Sequence, residues 1–454
     1  MVAQTIAILI FVGMFLLIIL DKFERHYVTL ASGALMLLLV FGLCMRSAGM
    51  IVDTLNFQSI ISPDFWVSES ESTASGINWP TIAFIAGMMI MVEGMGQAGF
   101  FRWICLSLAK LVHYRVVPLL LCFMFISAFL SMFIGSITVV LFLATVTIEL
   151  ARLLKFNPVP MIIAEIFCSN LGGAATMSGD PPNIIIGTSL GFGFVDFIAN
   201  SGLIVLLCFI AAMVFFWLCF RKELKASEAA RPADVVCPEP ASAITNKAAF
   251  ASATLVFVLT VVLLITHAQT HLTVACIGVI SAALTIVLMA AIYGGSMVSR
   301  IFKGVDYKTL LFFIGLFVSV AGLEQTGVLT VIANFIRRIS GGDAHVIVAI
   351  ILILSAVASG LIDNIPFAAT MIPVIQSLAA STGVDLSVMA WSLSLGTDMG
   401  GNATPIGASA NVVGTSISAK NGHPIGWGYF CKYCIPGTAM VIIVSLICLF
   451  VRYF

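Results

Sequence analysis

Residues Ser169 to Asn183 read SNLGGAATMSGDPPN, and residues Thr397 to Asn411 read TDMGGNATPIGASAN. Superposed, they match at Gly172/Gly400, Gly173/Gly401, Ala175/Ala403, Thr176/Thr404, Gly179/Gly407 and Asn183/Asn411, always 228 residues apart. The same offset, without a gap, lays WPTIAFIAGMMIMVEGMGQAG from Trp79 over YKTLLFFIGLFVSVAGLEQTG from Tyr307. Here Gly87/Gly315, Gly94/Gly322, Gln97/Gln325 and Gly99/Gly327 coincide. An offset held from Trp79 to Asn183 marks an internal duplication.

The duplicated unit is a membrane unit. Of 454 residues, 61% are hydrophobic and 9% charged, with a mean hydropathy of +1.14. Soluble domains carry about 45–50% apolar and 25% charged residues. Runs of roughly 20 apolar residues repeat along the chain, long enough to cross the hydrocarbon as helices, so the bundle is α-helical rather than a barrel of alternating strands. A net charge of zero leaves no footprint for nucleic acid. The first run, VAQTIAILIFVGMFLLIIL, lacks a basic leader and a small-residue cleavage site, and reads as a retained span rather than a signal peptide. Eleven cysteines scatter mostly singly through apolar runs and read as small buried hydrophobes, not a disulfide framework.

Ten spans are expected, over 3–20, 28–45, 79–97, 161–187, 197–220, 248–266, 272–293, 307–325, 386–415 and 431–452. Two further stretches, 116–150 and 345–378, suit either short arms bent back at a tip or a pair of cramped spans. Both options add an even number of crossings and leave the orientation alone. Loops with Lys and Arg face the cytoplasm, and this places 17 of the 21 basic residues inside, with Arg46, Arg337, Arg338 and Arg452 outside. The loop VDTLNFQSIISPDFWVSESESTASGIN then lies outside, as do both termini. The polar stretch 221–247 reads as a cytoplasmic linker between an N-terminal repeat (1–220) and a C-terminal repeat (248–454). The equivalent spans are the third and the eighth, five crossings apart, so the repeats are inverted across the membrane. The expected fold is an all-α polytopic protein of two inverted-topology repeats. Each has about five transmembrane helices, a re-entrant hairpin and an interrupted helix at the midplane, the pattern of secondary transporters.

The interruption has a chemical purpose. Gly179 can end a helix, Asp180 can cap the next, and Pro181 suits a first helical position. A break exposes carbonyls on one side and N–H groups on the other, which a bilayer tolerates only where they line a cavity or meet a solute. Asn170, Thr176, Asp180 and Asn183 in the first break, and Asn402, Thr404, Ser409 and Asn411 in the second, supply hydroxyls, amides and a carboxylate for a small ion or oxyanion. Gly172, Gly173, Gly400 and Gly401 suit close helix packing. In SGLIDNIPFAATMIP, Asp363, Asn364 and Pro366 read as a hairpin tip; an intramembrane acid is costly and marks function. Asp398 is placed to join Asp363 around a cation or a proton. A cation, with Na⁺ the one metal considered, is expected near Asp363 and Asn364. Glu93 and Glu165 are expected near the membrane faces, in structural roles.

These motifs resemble the ion transporter superfamily, in the arsenite permease/NhaD-type (ArsB/NhaD) group that also contains the P protein. NPVPMIIAEIFCSNLGGAATMSGDPPNIIIG, LIDNIPFAATMIPVI and GGNATPIGASANVVG are similar to the group's motifs, nearest the P-protein-like branch. The resemblance implies a scaffold and a transport domain, alternating access of an elevator-like kind, coupling to H⁺ or Na⁺, often a homodimer, and residence in the bacterial inner membrane. It places hairpin tips at 134–138, with Ser136 and Thr138, and at 362–366, and helix breaks at 178–183 and 405–411. The first tip departs from the group: it reads FIGSIT, with Gly135 and Ser136 where the second has Asp363 and Asn364. The second tip keeps Asp363 where arsenite permeases tend to have Asn.

The leading expectation is a secondary active transporter of an arsenite-like inorganic solute or oxyanion. A Na⁺-coupled carboxylate symporter and a channel on the same fold are the alternatives. No nucleophile–base pair, metal spacing or nucleotide-binding loop is apparent, which argues against an enzyme and leaves any ATP drive to a separate ATPase subunit. Cys168, near the first break, and the pair Cys431 and Cys434 are the thiols to weigh for arsenic.

Overall fold

A computed structural model describes residues 2–20, 22–67, 76–229 and 237–454. Residues 68–75 of the outer loop and 230–236 of the linker lie outside the described residues. The described chain is helical throughout, and eleven helices are long and apolar enough to cross a membrane, three of them hairpin arms.

The repeat shows first in how helices start and stop. Trp79–Gln97 begins at Asn78, whose side chain accepts the Thr81 N–H, and stops at Gly99 with φ +84°. Its counterpart Tyr307–Gln325 begins at Asp306, which accepts the Thr309 N–H, and stops at Gly327 with φ +76°. Only glycine takes that left-handed turn without strain. Each stop leads into an amphipathic helix absent from the expected spans. In Phe100–Leu111 the residues Phe101, Cys105 and Leu106 are buried while Arg102 and Lys110 are exposed; in Val328–Ser340 Leu329, Ala333 and Ile336 are buried while Arg337 and Arg338 are exposed. A one-sided helix of this kind suits an interface rather than a crossing.

Both 35-residue stretches are hairpins. Val116–Ser131 and Ser136–Leu154 form the first, Ala344–Leu361 and Asn364–Thr382 the second. The first is flanked by Arg115 and Lys155, whereas the second starts beside Arg337, Arg338 and Asp343, at the opposite end of the bundle. Their tips nonetheless meet through Asp180, which contacts both Ser136 and Asn364. Two hairpins that enter from opposite ends and touch are re-entrant.

The helix breaks are wider than the sequence suggests. The first runs between Val159–Gly173 and Pro181–Leu190, the second between Leu386–Gly400 and Ser409–Lys420, with a 3₁₀ turn at Gly401–Ala403. Helix therefore ends at Gly173, not at Gly179. Gly179 has another task, because a Cβ there would stand 2.5 Å from Gly173 O and 2.6 Å from Ser131 O; the matching Gly407 would meet Gly401 O at 2.5 Å and Ser359 O at 2.8 Å. Close packing by Gly172 and Gly400 holds as expected, the first against Ala128 and the second against Ala356.

The repeats are interlocked. Pro181–Leu190 packs on Asn364–Thr382, and Ser409–Lys420 packs on Ser136–Leu154, so each outer half-helix lies against the hairpin of the other repeat. Likewise Arg25–Leu35 packs along Tyr307–Gln325 and Val274–Tyr293 along Trp79–Gln97. The two packing groups, one of continuous helices and one of hairpins with broken helices, draw on both halves of the chain.

Polar contacts also sort by end. Lys308 with Glu24, Lys110 with Glu239, Arg115 with Glu228 and Arg152 with Asn421 gather at one end. Thr273 with Phe65 and Arg452 with Asn200 gather at the other. The start of the linker is helical: the helix from Leu203 runs on to Ala229, since RKELKASEA is rich in strong helix formers. The basic end is expected to face the cytoplasm. A cysteine at Ile61, 86% exposed at the opposite end, should react from outside with an impermeant thiol reagent in a cysteine-less background, whereas one at Lys247 should react only after permeabilisation. The reverse labelling pattern would invert the orientation.

Candidate functional site

Four helices begin at the centre of the bundle: Ser136–Leu154, Pro181–Leu190, Asn364–Thr382 and Ser409–Lys420. They are two hairpin arms and two half-helices, and each start supplies residues to one cavity of about 540 Å³. Ser136, Thr138, Pro181, Asp363, Ile365 and Ser409 line its depth, while Glu24, Arg25, Asp306 and Lys308 bring it to the basic end. Helix N-termini carry unpaired N–H groups and a positive dipole end.

Asp180 takes the cap position before Pro181 but does not cap. Pro181 and Pro182 have no N–H to offer, and the Asn183 N–H goes to Asp180 O at 3.1 Å. The carboxylate is thereby freed for the hairpins: Ser136 Oγ donates to Oδ1 at 2.5 Å, and Asn364 Nδ2 donates to Oδ2 at 2.9 Å. The expected side-chain cap is corrected to a bridge between the two tips. Asn364 reaches Asp398 Oδ1 as well, at 3.4 Å, so one amide spans two buried carboxylates from different repeats.

Behind this bridge lies an amide layer with the same pseudo-symmetry. Asn183 Nδ2 donates to Gly173 O, Thr176 O and Asp398 Oδ2, the last at 2.7 Å, and its Oδ1 accepts from Ser394 Oγ at 2.6 Å. Asn411 Nδ2 donates to Gly401 O and Thr404 O, and its Oδ1 accepts from Asn170 Nδ2 at 2.8 Å. Asn170 is the repeat mate of Asp398; it also donates to Asn402 Oδ1 at 2.9 Å. Thr176 and Thr404 are spent on structure, donating to Met132 O and, at 2.6 Å, to Gly360 O. Each pins a break to its hairpin.

Asp363 is held from three sides. Oδ1 accepts the Ile365 N–H, while Oδ2 accepts Ser409 Oγ at 3.1 Å and Arg25 Nη1 at 2.5 Å. Sequence reasoning missed Arg25, which there served only as an inside charge. A basic residue at the very start of a span carries no periodic signal, and only folding brings it to a tip 338 residues away. Ser394 was missed too, as one of several serines on a buried helix.

Of the thirteen residues singled out from the sequence, Ser136, Thr138, Asp363 and Ser409 line the cavity. Asp180, Asn364, Asp398, Asn183, Asn170, Asn402 and Asn411 form the buried network beneath it, with Thr176 and Thr404 anchoring the breaks. Glu165 departs from expectation: it is fully enclosed rather than near a membrane face, with Thr147 donating to Oε1 and Oε2 unpaired. It faces inward because its helix, Val159–Gly173, is buried on every side. Cys168 shares that burial and lies away from the cavity lining.

This arrangement of inverted repeats around a central polar site defines a membrane transporter. The chain belongs to the citrate transporter family, whose profile matches residues 15–396. It is 33% identical over 453 residues to an "uncharacterized transporter" of Mycobacterium tuberculosis, covering 99% of both chains. It is 28% identical over 437 residues to the human P protein, covering 79% of this chain and 52% of that one. The fold is shared with two solved transporters: YdaH of Alcanivorax borkumensis (TM-score 0.54, 15% identity, 81% and 84% covered) and MtrF of Neisseria gonorrhoeae (TM-score 0.54, 14% identity, 90% and 85% covered).

The network sets a stability order. Asn183→Ala and Asn411→Ala each strand buried partners, at about 1–3 kcal/mol per unsatisfied group. Asn183→Ala also removes a donor from the Asp398 carboxylate, so its thermal midpoint in detergent should fall further than that of Asn411→Ala. Equal midpoints would mean that Asp398 takes nothing from Asn183.

Proposed function

We propose that the protein is a secondary active transporter of a small anionic solute, a carboxylate or oxyanion, coupled to H⁺ or Na⁺ by alternating access. The observation that carries this reading is the convergence of four helix N-termini and the Arg25 guanidinium on one cavity. Helix N-termini and a guanidinium are the groups that bind carboxylates and oxyanions. The tips and breaks belong to one packing group, and the cavity runs along its boundary with the continuous helices. Movement of one group against the other then carries the site from one end to the other, as in transporters built from inverted repeats.

Within the anion class, the name of the family favours a carboxylate such as citrate. The motif likeness to arsenite permeases favours an arsenic oxyanion and an antiport cycle. The cavity supports the carboxylate better, because none of the eleven cysteines contributes to its lining and thiols are the soft ligands that arsenic would seek.

Flux in proteoliposomes decides between these. Labelled citrate should accumulate against its gradient when an inward H⁺ or Na⁺ gradient is imposed, and arsenite should not. Arsenite movement without citrate movement would replace the substrate class, and ion currents beyond a carrier's turnover would make the protein a channel. Asp398→Asn should cut gradient-driven citrate uptake by about tenfold, since a buried charge beside Asn364 of the second tip is lost. Undiminished uptake in that variant would remove Asp398 from coupling.

A further inference from the structure

The Arg25–Asp363 ion pair bridges the two packing groups at the cavity. Arg25 opens the helix Arg25–Leu35, which packs along Tyr307–Gln325 in the group of continuous helices. Asp363 caps the second hairpin arm in the other group. The partners differ in access: the Arg25 side chain is 26% exposed and the Asp363 side chain 3%. Both line the cavity, with Ser409 on the same carboxylate oxygen. The cavity is thus closed in its depth by an internal carboxylate already bound to its guanidinium.

We infer that Arg25 is the ligand for the solute's anionic group, and that Asp363 is the internal carboxylate which the solute displaces from it. This rests on the transport reading above and adds the residue that selects the substrate's charge. The exchange has an electrostatic consequence. A carboxylate as buried as Asp363 cannot be left unpaired without a large cost, whereas Arg25 retains access to water. Once the solute takes Arg25, a cation or a proton must take Asp363. The charged and titratable groups that share the cavity with it are Glu24, His26, Glu93, Asp306 and Lys308, besides Arg25 itself; Lys308 and Glu24 are already paired at 2.9 Å. Asp180, bonded to the neighbouring Asn364, stands close enough to add a like negative charge. Anion and cation therefore favour each other's binding, by the reciprocity that links any two coupled ligands.

The test uses the full-length protein in nanodiscs, with citrate and inorganic phosphate as probes and thermal stabilisation as the readout, with and without Na⁺. For the wild type, Na⁺ or a lower pH should tighten citrate binding. Asp363→Asn unpairs Arg25 and should bind citrate about tenfold more tightly than the wild type without Na⁺, and with no further response to Na⁺. Arg25→Gln should lose at least about tenfold in citrate affinity. Because that variant leaves Asp363 buried and unpaired, the double variant Arg25→Gln/Asp363→Asn keeps the test independent of folding; it should be stable and blind to citrate. Citrate binding by the double variant, or weaker binding in Asp363→Asn than in the wild type, overturns the assignment and leaves a structural ion pair. If neither probe stabilises Asp363→Asn, Arg25 is not the anion ligand even should liposomes accumulate another solute. If citrate stabilises Asp363→Asn but no gradient drives its flux, the exchange stands and the transport reading falls.

Discussion

A helix that stops inside a bilayer leaves backbone groups with no water to bond, and this chain stops or starts helices at its centre in four places. Much of the rest of the structure answers that constraint. The ends are gathered rather than scattered, so that hydroxyls, amides and carboxylates from both repeats satisfy one another. Asn183 and Asn411 each fold back onto two carbonyls of their own break, and Thr176 and Thr404 tie each break to its hairpin. The glycines at Gly172, Gly179, Gly400 and Gly407 let backbones approach closely enough for this to happen. Within this network Asn170 Oδ1 stays without a partner.

The duplication is close in backbone and unequal in charge. In the first repeat the tip is neutral, with Gly135 and Ser136, and the charge stands on the break at Asp180. In the second the tip is charged, with Asp363, and the equivalent break position is Ala408. Folding brings the two kinds of charge to one place, since Asp180 accepts from Ser136 on its own hairpin and from Asn364 on the other. A tip without a carboxylate in one repeat is made good by a break with one. The same asymmetry separates Asn170 from its mate Asp398: one amide layer is neutral throughout, the other ends on a carboxylate. Strict symmetry would have given two equal sites; the charge distribution gives one composite site with distinct sides.

The two packing groups cut across the linear halves. Each outer half-helix lies on the opposite repeat's hairpin, and the continuous helices pair in the same crossed fashion. A polar linker between sequence halves thus separates repeats but not packing groups. The amphipathic helices Phe100–Leu111 and Val328–Ser340 follow directly on the glycine stops of Trp79–Gln97 and Tyr307–Gln325, in both repeats alike, and connect the continuous helices to the hairpins. They bury one face and leave their basic residues exposed, which suits a connector that lies along a membrane face.

Hydropathy, basic-residue bias and the 228-residue offset settle the class of fold from sequence, because transmembrane helices are read from local composition and an internal repeat from local identity. The second tip and the first break were legible for the same reason, since Asp-Asn-x-Pro and Gly-Asp-Pro-Pro interrupt a helix; the second break followed from the repeat, and the first tip only from the family resemblance. Local logic misled where a residue's partner lay far along the chain. Asp180 has the sequence of a cap, but its two prolines leave nothing to cap and the tertiary structure gives its carboxylate to the hairpins. Glu165 was expected near a membrane face, although burial on all sides of its helix was decided by neighbours up to a whole repeat away. Arg25 was counted as a topological charge, and nothing within its own helix distinguishes it from Lys22. Its pairing with Asp363 exists only because two interlocked repeats bring a span entrance to a hairpin tip, a juxtaposition that side-chain chemistry exploits but that no local pattern encodes.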